Sequence, residues 1–216
     1  AVHDTLLSAA PGSDHQLAYA RALAGVARSD SALDLLAGLL AGSAEVPGLA
    51  VDADLRWTLL GRLVATGRAG EPEIAAELSR DDTATGRRSA AAVRATTPTP
   101  EVKAQTWETA VNDQSLPNAM LEAAVSGMLV ADQRELYRPY RPRYFDVVED
   151  IWDSRSTEMG SMLASALYPM LLVEQETVEW TRAFLSRAGL PGGLRRVVSE
   201  GLDGVERALR CKERDA

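Results

Sequence analysis

Two histidines, a few clustered acids, a glycine-rich turn and a basic aromatic string are the places where this sequence could do chemistry. A catalytic zinc needs two imidazoles one helical turn apart with a carboxylate as base. His3 and His15 stand twelve positions apart, on different expected elements, and read as surface or capping residues. Gly189-Leu190-Pro191-Gly192-Gly193 lacks the Lys-Ser/Thr ending of a phosphate loop, and its proline removes an amide that such a cradle would use, so an interhelix turn is expected. Glu149, Asp150 and Asp153 cluster on an expected helix flanked by arginines, with no cleft partner for acid–base work, and read as a solvated or ion-paired face. Asp81-Asp82-Thr83-Ala84-Thr85-Gly86 lacks the alternating carboxylates and terminal glutamate of a calcium loop, which leaves helix capping.

The segment Tyr137-Arg138-Pro139-Tyr140-Arg141-Pro142-Arg143-Tyr144 is basic, aromatic and bounded by prolines in an otherwise acidic chain. It has two accounts, both of which treat it as a long connection between helices. In the structural account, which is favoured, the tyrosine rings pack on the repeats and the arginines offset nearby acids. In the functional account, guanidinium forks and tyrosine hydroxyls held on a rigid loop receive a peptide's backbone or carboxylate. The candidate residues for that role are Tyr137, Arg138, Tyr140 and Arg141.

The elements that must position these residues are helices. Met120, Leu121, Ala124, Val125, Met128 and Leu129 form one apolar stripe at helical spacing, and Leu55, Leu59, Leu60, Leu63 and Val64 repeat the pattern. Met159 to Leu167 and Leu194 to Leu209 do likewise. Ser13 with Gln16 spells a capping box, Asp52 can cap the next helix, and Thr99 precedes Pro100 at a first helical position. Gly42, Gly67, Gly70, Pro98, Pro169, Gly189 and Pro191 mark stops. Helix pairs are predicted at 14–27 with 31–41, 52–66 with 71–80, 84–96 with 100–112, 117–130 with 143–153 and 156–168 with 174–188, followed by a long helix over 191–210. Pairs recurring roughly every 30 to 45 residues predict an all-α, irregular α-solenoid of antiparallel pairs, a HEAT- or armadillo-like superhelix.

Composition agrees with this reading and narrows the partners. With 216 residues, 46% of them hydrophobic but only 5% aromatic, the chain can bury a core and favours helix over strand. A net charge of −8 repels a phosphate backbone, so no nucleic-acid partner is expected. Cys211 is the sole cysteine, which excludes an intrachain disulfide and fits a reducing, cytoplasmic setting. No leader pattern opens the chain and no apolar run reaches membrane-spanning length, so no membrane partner is expected either. The first residues, Ala1-Val2-His3-Asp4, lead without Met into an apparently helical stretch from Thr5 to Ala10, and residues 1–216 read as a fragment of something longer.

Specific strings go further than periodicity. Val51-Asp52-Ala53-Asp54-Leu55-Arg56-Trp57 through Leu60, then Leu63-Val64-Ala65-Thr66-Gly67, resembles the C-terminal helical domain of bacterial, actinobacterial-type aminopeptidase N enzymes. Ala10 to Ala18, Glu77 to Thr83 with Gly86, Pro98 to Ala104 with Trp107, Glu135-Leu136-Tyr137 with Pro139-Tyr140, Tyr144-Phe145 and Ile151-Trp152 continue the resemblance in order, from about residue 8 to residue 190. The domain is also similar to that of the endoplasmic-reticulum aminopeptidases.

The resemblance implies a gluzincin zinc aminopeptidase that removes N-terminal residues from peptides, with zinc held by a His-Glu-x-x-His helix and a downstream glutamate. None of those positions lies in this chain, nor does a Gly-x-Met-Glu-Asn string; Glu158-Met159-Gly160 only shares letters with it. The chain is therefore expected to carry no catalytic, cofactor-binding or metal residue of its own, to be inactive alone, and to lack the first helices of its domain. Its implied partners are its own upstream catalytic domain and peptide substrates, in a monomer. Its implied role is to close a chamber over the active site and to contact the distal end of a peptide, for which Tyr137, Arg138, Tyr140 and Arg141 are the candidates. The alternatives are a stand-alone helical-repeat scaffold for a protein partner and, less favoured, an enzyme built on the acid cluster and the tyrosines.

Overall fold

The computed structural model describes residues 2–214. Ala1, Asp215 and Ala216, the ends of the expected 1–216 span, lie outside the described residues. Among these residues there is no strand; the chain is all-α, with thirteen α-helices and one 3-10 turn. It divides into two compact units, 1–98 and 99–216.

The first unit holds α1 (Val2–Ser8), α2 (Asp14–Val26), α3 (Asp30–Ala41), α4 (Ala53–Ala65), α5 (Glu71–Arg80) and α6 (Ala84–Ala95). Side-chain caps start several of them by taking an otherwise orphaned amide. Asp52 Oδ1 accepts the Leu55 N–H at 2.9 Å, and Thr83 Oγ1 accepts that of Gly86 at 2.9 Å. Gly42 ends α3 in the left-handed region at φ 75°, where a Cβ would be penalised.

Two hydrophobic clusters fill this unit, and α4 serves both. Leu55, Leu59 and Leu63 face the cluster built with α1, α2 and α3. Trp57, Leu60 and Val64 face a second cluster that includes Ile74, Ala90 and Val93. Opposite stripes of one helix thus enter different cores, which is why α4 reads as hydrophobic around most of its circumference.

The second unit holds α7 (Pro100–Asn112), α8 (Asn118–Met128), the 3-10 turn Ala131–Gln133, α9 (Arg134–Tyr137), α10 (Tyr140–Ser154), α11 (Thr157–Ala166), α12 (Gln175–Leu185) and α13 (Gly192–Arg214). One large cluster runs through it, from Trp107 through Tyr144 and Phe145 to Val198 and Val205. Gly201 of α13 lies so close to Tyr168 that an added Cβ would sit 2.8 Å from the ring.

The helices lie close to their predicted ranges, but their pairing is out of step. Among chain neighbours the extensive contacts join α1 with α2, α3 with α4, α5 with α6, α7 with α8, α10 with α11, and α12 with α13, while α4 also packs on α6 and α11 on α13. The sequence reading paired α2 with α3 and counted onward, leaving α1 without a partner. Fully buried Leu6 shows why this fails: α1 is itself half of the first pair.

Candidate functional site

The Tyr137 to Tyr144 segment is helical, not a loop. Tyr137 closes α9 and Tyr140 opens α10, with Pro139 at the N-cap and Pro142 three residues inside. Proline is tolerated there because the first amides of a helix have no intrahelical acceptor to lose.

Its tyrosines face inward. Tyr137 and Tyr140 are only 2% and 6% exposed, too little to offer a ring to a ligand. Tyr140 lies 4.9 Å from Trp107 and 6.2 Å from Tyr137 between ring centroids. Tyr144 donates its hydroxyl to the Ala164 carbonyl at 2.7 Å. Burial pushes all three phenols above their ordinary range, so none is poised for proton transfer near neutral pH.

The arginines face the N-terminus of α12. Arg138 donates Nη1 to Glu174 Oε2 at 2.8 Å and Nη2 to Glu174 Oε1 at 2.7 Å, a two-pronged pair. Its Nε donates to Glu135 Oε2 at 2.5 Å. Arg141 donates Nη1 to the same Glu174 at 3.1 Å and pairs with Glu176. Hydrogen bonds from Arg138, then from Arg141, hold the Glu174 carboxyl below the usual range, and Arg138 does the same to Glu135. The Arg141 side chain is 7% exposed and that of Arg138 is 43% exposed, so Arg138 is the member that solvent reaches. Arg134, Leu171, Val173, Glu174, Ala208 and Lys212 line an open pocket beside it.

The remaining predicted positions resolve as structure. Glu149 accepts from Arg187 at 2.8 Å, while Asp150 and Asp153 are exposed. Asp81 accepts from Trp57 Nε1 at 2.9 Å and from Thr83 Oγ1 at 2.8 Å, and these bonds, Trp57 first, hold its carboxyl low. Gln16 departs from its expected box: it accepts the Gly12 amide and donates to the Pro47 carbonyl instead of returning to Ser13. Gly189 turns at φ 82° ahead of α13. His3 and His15 are exposed, and no group of three or more metal-ligating side chains occurs among the described residues. No helix of the described residues is long and apolar enough to cross a membrane.

Two residues with unusual surroundings escaped the sequence reading. Glu174 joins both arginines, and its signal was its place just before α12, where a carboxylate suits the helix dipole. Lys103 is fully buried, and its Nζ lies 3.5 Å from the Met128 carbonyl at the end of α8. Burial lowers its pKa to about 8. Its signal was its register, since Lys103, Trp107 and Ala110 form the buried stripe of α7.

Comparison with known proteins places this arrangement. The model of the ERAP1-like C-terminal domain matches residues 2–207. The chain belongs to that family. Aminopeptidase N of Streptomyces lividans is 50% identical over 211 residues, which is 98% of this chain and 25% of that protein. The chain thus spans about a quarter of the length of this relative. The ERAP1-like assignment agrees with the all-α architecture and with the resemblance carried by the strings from Ala10 to Trp152.

Proposed function

We propose that this chain is the non-catalytic C-terminal domain of a cytoplasmic, monomeric zinc aminopeptidase, whose helix pairs stack as an irregular solenoid and close a chamber over the active site. The observation that carries the reading is the identity of 50% with Aminopeptidase N across almost the whole chain, on a quarter of that protein. In this reading the zinc and the hydrolytic step belong to the portion of the protein outside these residues.

Within this reading, Arg138 meets the distal end of a long peptide, held by Glu135 and by the Glu174 that it shares with Arg141, while Tyr137 and Tyr140 pack in the core. Its support is geometric: Arg138 alone of the four combines a guanidinium fork with an exposed side chain, beside the pocket lined by Arg134 and Lys212. The decisive test is the full reading frame of the natural protein. An extension bearing His-Glu-x-x-His and a downstream glutamate supports the assignment, whereas a protein confined to these residues leaves a free-standing helical scaffold. In the full enzyme, Arg138→Ala is expected to raise KM for long peptides more than for dipeptides. An equal effect on both refutes a distal contact.

A further inference from the structure

Three contacts set the register between α10 and α12. Arg141 pairs with Glu176, Phe145 stacks on Trp180 with ring centroids 6.0 Å apart and planes 16° from parallel, and Arg187 donates Nη1 to Glu149 at 2.8 Å. The partners advance together along both helices, so the two run side by side in the same direction. One turn along α10 therefore matches one turn along α12.

At the far end of this seam a ring, a carboxylate and a guanidinium already meet. Arg187 holds its guanidinium 4.8 Å over the Phe184 ring while it donates to Glu149. One turn earlier the ring and the acid recur without the cation. Trp180 precedes Phe184 by four residues and Asp146 precedes Glu149 by three, but the residue four before Arg187 is Ala183. Asp146, Trp180 and Ala183 are all exposed. Buried Phe145 backs the indole from the core, and Trp180 keeps 39% of its surface open to solvent. Among the described residues no guanidinium lies over the Trp180 ring, and Asp146 has no hydrogen-bond or ion-pair partner.

Indole attracts a cation more strongly than the other aromatic rings, and a planar guanidinium can stack on a ring and fork onto a carboxylate at once. Exposed Asp150, Asp153 and Glu179 on the same two helices add negative field with no ion-pair partner among the described residues. That field draws a basic partner and disfavours a second copy of a chain whose net charge is −8.

We propose that Trp180 and Asp146 form a docking site for an arginine of a basic peptide supplied by another molecule. Its guanidinium lies over the indole and donates to the carboxylate, as Arg187 does with Phe184 and Glu149. The site stands on the α10–α12 register and is independent of the aminopeptidase reading.

Calorimetric titration of the natural protein with hexa-arginine, acetylated and amidated so that neither terminus is charged, tests it. Trp180→Leu is expected to weaken binding about threefold or more, and Asp146→Asn about twofold or more. Blocked hexa-lysine is expected to bind less tightly than hexa-arginine, because an ammonium cannot stack and fork together. Should Trp180→Leu unfold the domain, Asp146→Asn decides alone, since that side chain holds nothing in the fold. No binding by the wild type, or unchanged affinity in Asp146→Asn, overturns the proposal. So does Trp180→Leu that folds and binds as tightly as wild type, because the attraction is then diffuse charge. Self-association of the protein that Trp180→Leu abolishes overturns it as well, the occupant then being a second copy.

Discussion

Replacing Lys103 by methionine should make the protein more stable at neutral pH and should change how its stability responds to alkali. The ammonium group is fully buried, and desolvation takes its pKa from an ordinary 10.5 to about 8. A depression of that size corresponds to roughly 3 kcal/mol of cost in carrying the charge at low pH. Hydrogen bonding, including that to the Met128 carbonyl, offsets only part of it, so Lys103→Met is expected to gain stability at pH 7. The sign of the pH effect follows from proton counting. Below pH 8 both folded and unfolded chains hold the Lys103 proton, and the cost is constant. Between about 8 and 10.5 the unfolded chain holds a proton that the folded chain has released, so wild-type stability gains up to about 1.4 kcal/mol per pH unit from this group. Buried tyrosines oppose the gain near the upper end, because unfolded phenols ionise near pH ~10 while Tyr168 is pushed up to about 12. Both proteins share that loss, so the difference between them isolates Lys103. Urea unfolding at intervals from pH 6 to 10, monitored by tryptophan fluorescence, supplies the measurement. The variant's advantage should be flat up to about pH 7 and shrink beyond pH 8. An advantage that stays constant from pH 7 to 10 refutes the argument.

Three other substitutions probe the packing and the ionic network. Gly86→Ala should cost about 3 kcal/mol or more and perturb the near-ultraviolet signal of Trp57, because its Cβ would fall 1.9 Å from the Asp81 carbonyl oxygen and Asp81 holds the indole. Gly201→Leu should lower the melting temperature more than Gly204→Leu on the same helix, since only Gly201 touches the Tyr168 ring. Glu174→Gln should cost about 2 kcal/mol, with the loss shrinking as salt is added. The Glu174 carboxyl is depressed in the folded state, so its contribution is present above the unfolded pKa and disappears as pH falls through the folded one. An acid-unfolding midpoint that is the same with and without Glu174 would contradict this assignment.

Much of the fold was legible because the signals were local. The stripe from Leu55 to Val64 and the caps at Asp52 and Thr99 require only a few residues to interpret, and α4 and α7 lie where these predict. The pairing of helices was harder, since most turns are short and nothing local says which neighbour shares the larger face. The Tyr137 to Tyr144 segment misled because two prolines within four residues look like a break, although both occupy positions where a helix tolerates them. The structural account of that string fits the geometry: its tyrosines are buried and its arginines meet acids. The place of Glu174 before α12 was a signal for a cap only, because its arginine partners lie 33 and 36 residues away and only tertiary packing brings them together. The extended reach of Gln16 to Pro47 was hidden for the same reason.

The two-sided character of α4 determines how the first unit can be taken apart. The eleven-residue stretch between α3 and α4 looks like a seam at which a protein engineer would cut. Cutting there would strip α2 and α3 of Leu55, Leu59 and Leu63 and leave those leucines bare on the other piece. Neither fragment would keep a closed interior, so the seam is a poor site for truncation, and buried Val46 and the Pro47 carbonyl held by Gln16 make it a poor site for an inserted tag as well.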